Sequence, residues 1–164
     1  ILNYLDNLYP SSKLLPADNF QAAKIQSFVD IIACDIHPIC NLRILSYLTE
    51  DLKVDSEKKL AWYRHWVAIG FAALETMLEK TQYCFGEQVT LADVYLIPQV
   101  YNALRFEVDI TGTPLFQRIN APSHPALRQN AVIEILQTPR ANNGNRHIGI
   151  INIALGIAVA IYGF

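Results

Sequence analysis

Apolar positions recur at helical spacing through most of this chain, and the densest run is Phe85 to Phe106, FGEQVTLADVYLIPQVYNALRF. Thr90 and Asp93 stand in the capping-box spacing, each side chain placed to satisfy the other's backbone amide, with Val89 and Val94 flanking them as a hydrophobic staple. A helix start is therefore predicted at Thr90. Beyond it Val94, Tyr95, Leu96, Ile97, Val100, Tyr101, Ala103, Leu104 and Phe106 leave little polar surface, the pattern of a helix surrounded by other elements. Gln99, Asn102 and Arg105 interrupt that surface at intervals of three and form one narrow polar stripe, while Pro98 predicts a bend. Arg105 needs compensation in such surroundings, because an unpaired buried cation is strongly unfavourable. Two readings follow: an internal ion pair with an acid such as Asp93 or Asp109, or an anion site at the edge of a cleft.

The flanking segments are helical too. Ile1, Leu2, Leu5 and Leu8 share a face of a short helix that stops before Pro10, and residues 9–19, with their prolines and serines, predict an exposed linker. Asp18 and Gln21 form a second capping box ahead of Phe20, Ile25, Phe28, Val29 and Ile32. One long helix is predicted over residues 20–52, kinked at Pro38, where the Cys34 carbonyl loses its amide donor and the freed backbone could meet a ligand. Asp55 or Ser56 caps a helix over residues 57–80 whose apolar stripe reads Trp62, Trp66, Ile69, Ala73 and Met77, with Gly70 permitting a close neighbour. Thr113-Pro114 and Ser123-His124-Pro125 mark two short closing helices. No alternating βαβ pattern is present, so the fold class is all-α.

Residues 130–164 depart from this pattern and end in IGIINIALGIAVAIYGF. The apolar run 148–164 falls just short of the roughly 20 residues that a membrane-spanning helix needs. Arg140, Arg146 and His147 precede it, so a tail anchor with the bundle on the cytoplasmic side is one reading. An interfacial or buried helix and an aberrant end are the others.

Composition narrows the function classes. The 164 residues are 52% hydrophobic and 17% charged with net charge −2, which suits one globular domain and gives no basic excess for nucleic acid. The three cysteines, Cys34, Cys40 and Cys84, form no CxxC pair, so neither a disulfide framework nor a zinc ribbon is expected and a reducing compartment fits. Cys34, His37 and Cys40 are spaced three apart, but three soft ligands on drifting faces with a proline between them do not predict a metal site. No basic segment followed by an apolar run suggests a secretory signal at the N-terminus.

The capped helix with LIPQVYNALRFEVD, preceded in order by ACDIHPICNLRILSYL and AWYRHWVAIGFAALE, resembles the second domain of soluble glutathione transferases of the zeta class. That class includes maleylacetoacetate isomerase and bacterial maleylpyruvate isomerase, and the resemblance covers roughly residues 1–129. It implies a glutathione-transferase C-terminal-like helical bundle: residues 1–8 ending a thioredoxin-like domain absent from this sequence, 9–19 an interdomain linker, 20–129 the helical domain, and 130–164 a divergent apolar tail. It also implies glutathione as cofactor and a cytoplasmic isomerase of tyrosine and phenylalanine catabolism, taking maleylacetoacetate to fumarylacetoacetate, with a homodimer as the family's assembly. In the family the serine and cysteine that activate the thiolate lie in the thioredoxin-like domain, so no catalytic residue is expected here and the chain alone is expected to be inactive.

What the family binds in its helical domain maps onto a few positions. Arg105 matches the arginine that holds a carboxylate of the dicarboxylic keto-acid substrate, and Asn41 and Arg43 match cleft positions near it. Cys40 stands at a substrate-facing place where relatives commonly carry an amide, and Leu42 where maleylpyruvate enzymes can have arginine. His37 and Asn41 fall in the segment facing glutathione. The competing readings are a non-catalytic binding or scaffold module, anchored through residues 148–164, and a general glutathione transferase acting on electrophiles.

Overall fold

The computed structural model describes residues 2–8 and 13–119. Residues 120–129, which include the Ser123 helix start, and the apolar tail 130–164 lie outside the described residues, as does the start of the linker. Among the described residues, helices account for all regular structure apart from an isolated bridge between Tyr83 and Gly86, and no helix is long and apolar enough to cross a membrane.

Helix α1, Leu2–Leu8, is tied to the segment that follows it by buried Asp6, which accepts the Leu14 amide. Leu14 is only 2% exposed, so the linker is not wholly solvent-facing as its composition predicts. Its carbonyl also accepts the Leu91 amide at 3.0 Å, which joins the linker to the start of a distant helix. Helix α2, Asn19–Asp30, begins where expected: Asp18 Oδ1 accepts the Gln21 amide at 2.8 Å. Ile25, Phe28 and Val29 enter the core, whereas Phe20 stays 75% exposed.

The single kinked helix predicted over residues 20–52 is a series of pieces. A π-helical turn, Ile31–Ile36, follows α2, then the short α3, His37–Cys40, and then α4, Leu42–Glu50. In the π turn the His37 amide reaches back to the Ile32 carbonyl, five residues earlier, so the register changes just ahead of Pro38, which has no amide to contribute. The chain breaks at Asn41, not at Pro38: Asn41 adopts φ −76° and ψ 164° and caps α4, its Oδ1 accepting the Ile44 amide at 3.1 Å. Its Nδ2 donates to the Pro38 carbonyl at 2.9 Å, and Trp62 Nε1 donates to the Ile39 carbonyl at the same distance. Two carbonyls near the break, which could have met a ligand, are thus satisfied internally.

Helix α5, Ser56–Met77, is capped by Asp55, which accepts the Lys58 amide at 2.8 Å. Its buried face is Tyr63, Val67, Gly70, Phe71 and Leu74, while Ile69 is 49% exposed and Trp62, Trp66 and Met77 lie along the flanks. The predicted stripe is therefore rotated from the real one. Gly70 permits this orientation: Ile36 of the π turn lies so close that a Cβ on residue 70 would overlap its Cγ1 and Cδ1.

Helix α6, Leu91–Arg105, runs past Pro98 without interruption and packs on α2 and the π turn. Its capping box is present, with the Thr90 amide and hydroxyl both donating to Asp93 Oδ2 at 2.8 Å. Asp93 Oδ1 accepts the Cys84 amide at 2.9 Å, which draws the preceding loop onto the helix. The helix is less enclosed than its composition suggests, because Tyr101 and Leu104 near its end are exposed. Arg64 of α5 closes that end, donating from Nε to the Phe106 carbonyl at 3.0 Å and pairing with Glu107. The last described helix, α7, Pro114–Ile119, is capped from a distance: Glu75 of α5 accepts the Leu115 amide at 2.8 Å and the Phe116 amide at 3.3 Å. The Thr113 hydroxyl, expected to cap α7, donates instead to the Ile110 carbonyl at 2.7 Å.

Two substitutions test this framework. Asp93→Ala strands three donors around a fully buried site and should lower unfolding free energy by about 3 kcal/mol or more, read from urea midpoints. Gly70→Ala should lower it by about 1–2 kcal/mol, because overlap with Ile36 outweighs the better helix propensity of alanine; an unchanged or raised midpoint would contradict that packing.

Candidate functional site

The break between α3 and α4 faces the polar stripe of α6 across a cleft of about 360 Å³. Asn41 creates one wall, because its cap forces the chain to leave α3 and restart, and this presents His37, Cys40, Asn41 and Arg43 together. The other wall is Gln99, Asn102 and Arg105, brought to one side of α6 by their spacing of three. Tyr63 of α5 joins them. All of the sequence-predicted site residues, His37, Cys40, Asn41, Arg43 and Arg105, therefore border one cavity. Gln99, Asn102 and Tyr63 were not among them. The interval shared with Arg105 was the signal available for Gln99 and Asn102, while Tyr63 could not be found without the true rotation of α5.

Arg105 lies at the edge of this cleft, where the anion-site reading expects it. Arg105 is exposed at the cleft, its guanidinium 5.8 Å from the centre of the Phe106 ring. Arg43 is exposed on the opposite wall. Among the described residues lining the cavity there are these two arginines and no carboxylate, so the local field favours an anion.

The interior of the cleft is neutral. Burial lowers the His37 pKa below its usual 6.5, so the imidazole is uncharged at neutral pH. Burial, with a smaller contribution from the charge of Asp35, pushes the Cys40 thiol up to about 12, which keeps it protonated and a poor nucleophile. Asn41 uses both ends of its amide to hold the break, leaving one Nδ2 hydrogen for any ligand. Gln99 is 2% exposed and its Nε2 has no hydrogen-bond partner. The arrangement can bind and orient an anion through cations at the rim and neutral donors within. Among the described residues, no group of three His, Cys, Asp or Glu side chains is placed to hold a metal ion.

No protein-family model matches the chain. It is 47% identical over 123 residues to a probable maleylacetoacetate isomerase of Vibrio cholerae, covering 74% of this chain and 57% of that protein. To the maleylacetoacetate isomerase of Pseudomonas aeruginosa it is 38% identical over 143 residues, 86% of this chain and 67% of the relative. Among solved structures, a holo maleylpyruvate isomerase described as a bacterial zeta-class glutathione transferase superposes with TM-score 0.70 at 41% identity, covering 73% of this chain and 58% of that one. A maleylacetoacetate isomerase of Anaeromyxobacter dehalogenans, with dicarboxyethyl glutathione and citrate in its active site, gives TM-score 0.67 at 33% identity, over 72% of this chain and 54% of that one. The chain thus spans less than three-fifths of the Vibrio cholerae relative's length, yet it shares the fold of these proteins, and it belongs to the maleylacetoacetate isomerase family, the zeta class of the glutathione transferases.

Proposed function

We propose that this chain is the helical, substrate-binding portion of a glutathione-dependent cis–trans isomerase that converts maleylacetoacetate to fumarylacetoacetate. The observation that carries the reading is the cleft itself, with guanidiniums on both walls, neutral amides between them and no carboxylate among its described lining residues. A small dicarboxylic keto acid fits that pattern of charge. Two solved relatives support it: one holds dicarboxyethyl glutathione and citrate, the other malonate and glutathione.

In this reading Arg105 takes one substrate carboxylate in the two-point geometry that arginine offers and lysine does not. Arg43 neutralises the second charge from the opposite wall. Glutathione, were it bound, would supply the sulfur nucleophile that a cis–trans change at the double bond requires. Its backbone would lie along the wall of His37 and Asn41, where a neutral imidazole and one amide hydrogen can meet peptide groups without opposing charge. The Cys40 thiol, held protonated, stays out of the chemistry. A cytoplasmic homodimer, as the family resemblance implies, belongs to the same proposal. The second reading, a non-catalytic dicarboxylate-binding module, is favoured by the lack of an activated nucleophile among the described residues of the cleft; it predicts binding without turnover.

In the protein carrying its thioredoxin-like half, Arg105→Ala should lower kcat/KM for glutathione-dependent isomerisation by the equivalent of about 2–4 kcal/mol. An unchanged value would remove Arg105 from the mechanism. His37 gives a stability prediction: the unfolded chain takes up its proton near pH 6.5 and the folded chain only at lower pH, so the stability it contributes is present above pH 6.5 and is lost as pH falls toward the folded pKa. Urea midpoints at pH 7.5 and pH 5.5 should therefore drop further for the wild type than for His37→Gln. Equal drops would show that burial does not shift His37.

A further inference from the structure

We infer that Gln99 is a substrate-recognition residue whose Nε2 donates a hydrogen bond to an oxygen of the dicarboxylate at the buried end of the cleft. The inference rests on the reading of this cleft as a dicarboxylate site and names a contact which that reading did not require.

Among the described residues, Gln99 Nε2 is the one buried side-chain nitrogen or oxygen without a hydrogen-bond partner. Such groups are rare in folded proteins because losing water without gaining a partner is costly. The rest of this framework avoids that cost. Asp93 is met by donors from Thr90 and Cys84, and Asp6 accepts the Leu14 amide with Lys13 at 3.9 Å. Leucine or methionine at position 99 would fill the same space on an otherwise apolar stretch of α6 with no donor to satisfy.

The surroundings define what the donor would meet. Gln99 borders the cavity one helical turn from Asn102 and two from Arg105, on the same side of α6. Arg105 and Arg43 are exposed, whereas Gln99 is 2% exposed, so charge is read at the rim and the carboxamide sits deeper. An N–H donor without charge selects an oxygen acceptor, and it does so without the desolvation penalty of a third cation. The fitting ligand is a small dianion that puts one oxygen past the arginines.

The test uses the chain uniformly labelled with nitrogen-15 and two probes, maleate and glutathione, titrated separately. The side-chain NH2 pair of Gln99 is identified by its disappearance in Gln99→Met. Maleate should shift that pair in a saturable way, and glutathione alone should leave it in place. Gln99→Met should weaken maleate binding about tenfold with the melting temperature unchanged or raised, since an apolar side chain of like size removes an unsatisfied donor. Gln99→Glu, which keeps the shape and replaces the donor by an anion, should weaken it further. Arg105→Ala separates this inference from the parent reading. If Arg105→Ala weakens maleate binding and Gln99→Met does not, Gln99 is no recognition residue and the dicarboxylate site stands. If maleate binds neither the wild type nor any variant, both fall. A response to glutathione alone, or a clear loss of melting temperature in Gln99→Met, likewise overturns the role assigned to Gln99.

Discussion

The carboxylate of Asp93 holds three donors at zero solvent exposure, and the positions of α6 and of the loop before it follow from those bonds. Two come from Thr90 and fix where the helix begins; the third comes from Cys84 and fixes how the loop arrives. Once the first turn is pinned, every later side chain on α6 has a set direction, since each residue advances the helix by about 100°. The polar stripe of Gln99, Asn102 and Arg105 inherits its aim from that first turn. A slip of one residue at the cap would turn all three away from the α3–α4 break and put apolar side chains in their place. Burying a carboxylate is tolerable because its hydrogen bonds compensate for lost water.

Local features of the sequence foretold the parts of the fold that rest on local contacts. Asp18, Asp55 and Thr90 each cap the helix expected of them, because the cap is made by atoms three residues apart and needs nothing from the rest of the chain. The rotation of α5 was not legible. That helix is apolar on several sides, so periodicity allowed more than one face, and the close approach of Ile36 at Gly70 permits the one observed. The cap of α7 by Glu75 escaped for a related reason: partners 40 residues apart leave no local spacing to read. Pro38 pointed to trouble in the first long helix but not to its form, in which a wider turn precedes the proline and an asparagine three residues later makes the break.

The candidate site was partly legible by the same measure. Arg105 was singled out by the polar stripe of its own helix, Asn41, Arg43, Cys40 and His37 came from the family resemblance, and all border the cleft. The cavity adds a gradient that single positions could not reveal, from exposed guanidiniums to a buried amide. Burial keeps the Cys40 thiol protonated throughout the physiological range, its pKa pushed up to about 12. A nucleophile for addition to a double bond would have to enter with a cofactor. In the proposed reading the helical chain would supply the mould and the counter-charge.

The π turn at Ile31–Ile36 amounts to one amino acid more than an α-helix would use over the same rise. That surplus changes the phase of everything downstream by about a quarter of a rotation. It is what lets α2 keep its apolar side against α6 while α3, in direct continuation, turns His37 and Cys40 toward the cavity. Deleting a single residue between positions 31 and 36 would let the stretch relax into ordinary α geometry and swing both side chains off the cavity wall, even though every atom lining that wall had been left unaltered. The lining of the cleft is thus governed by a count of residues upstream as much as by the identity of those within it.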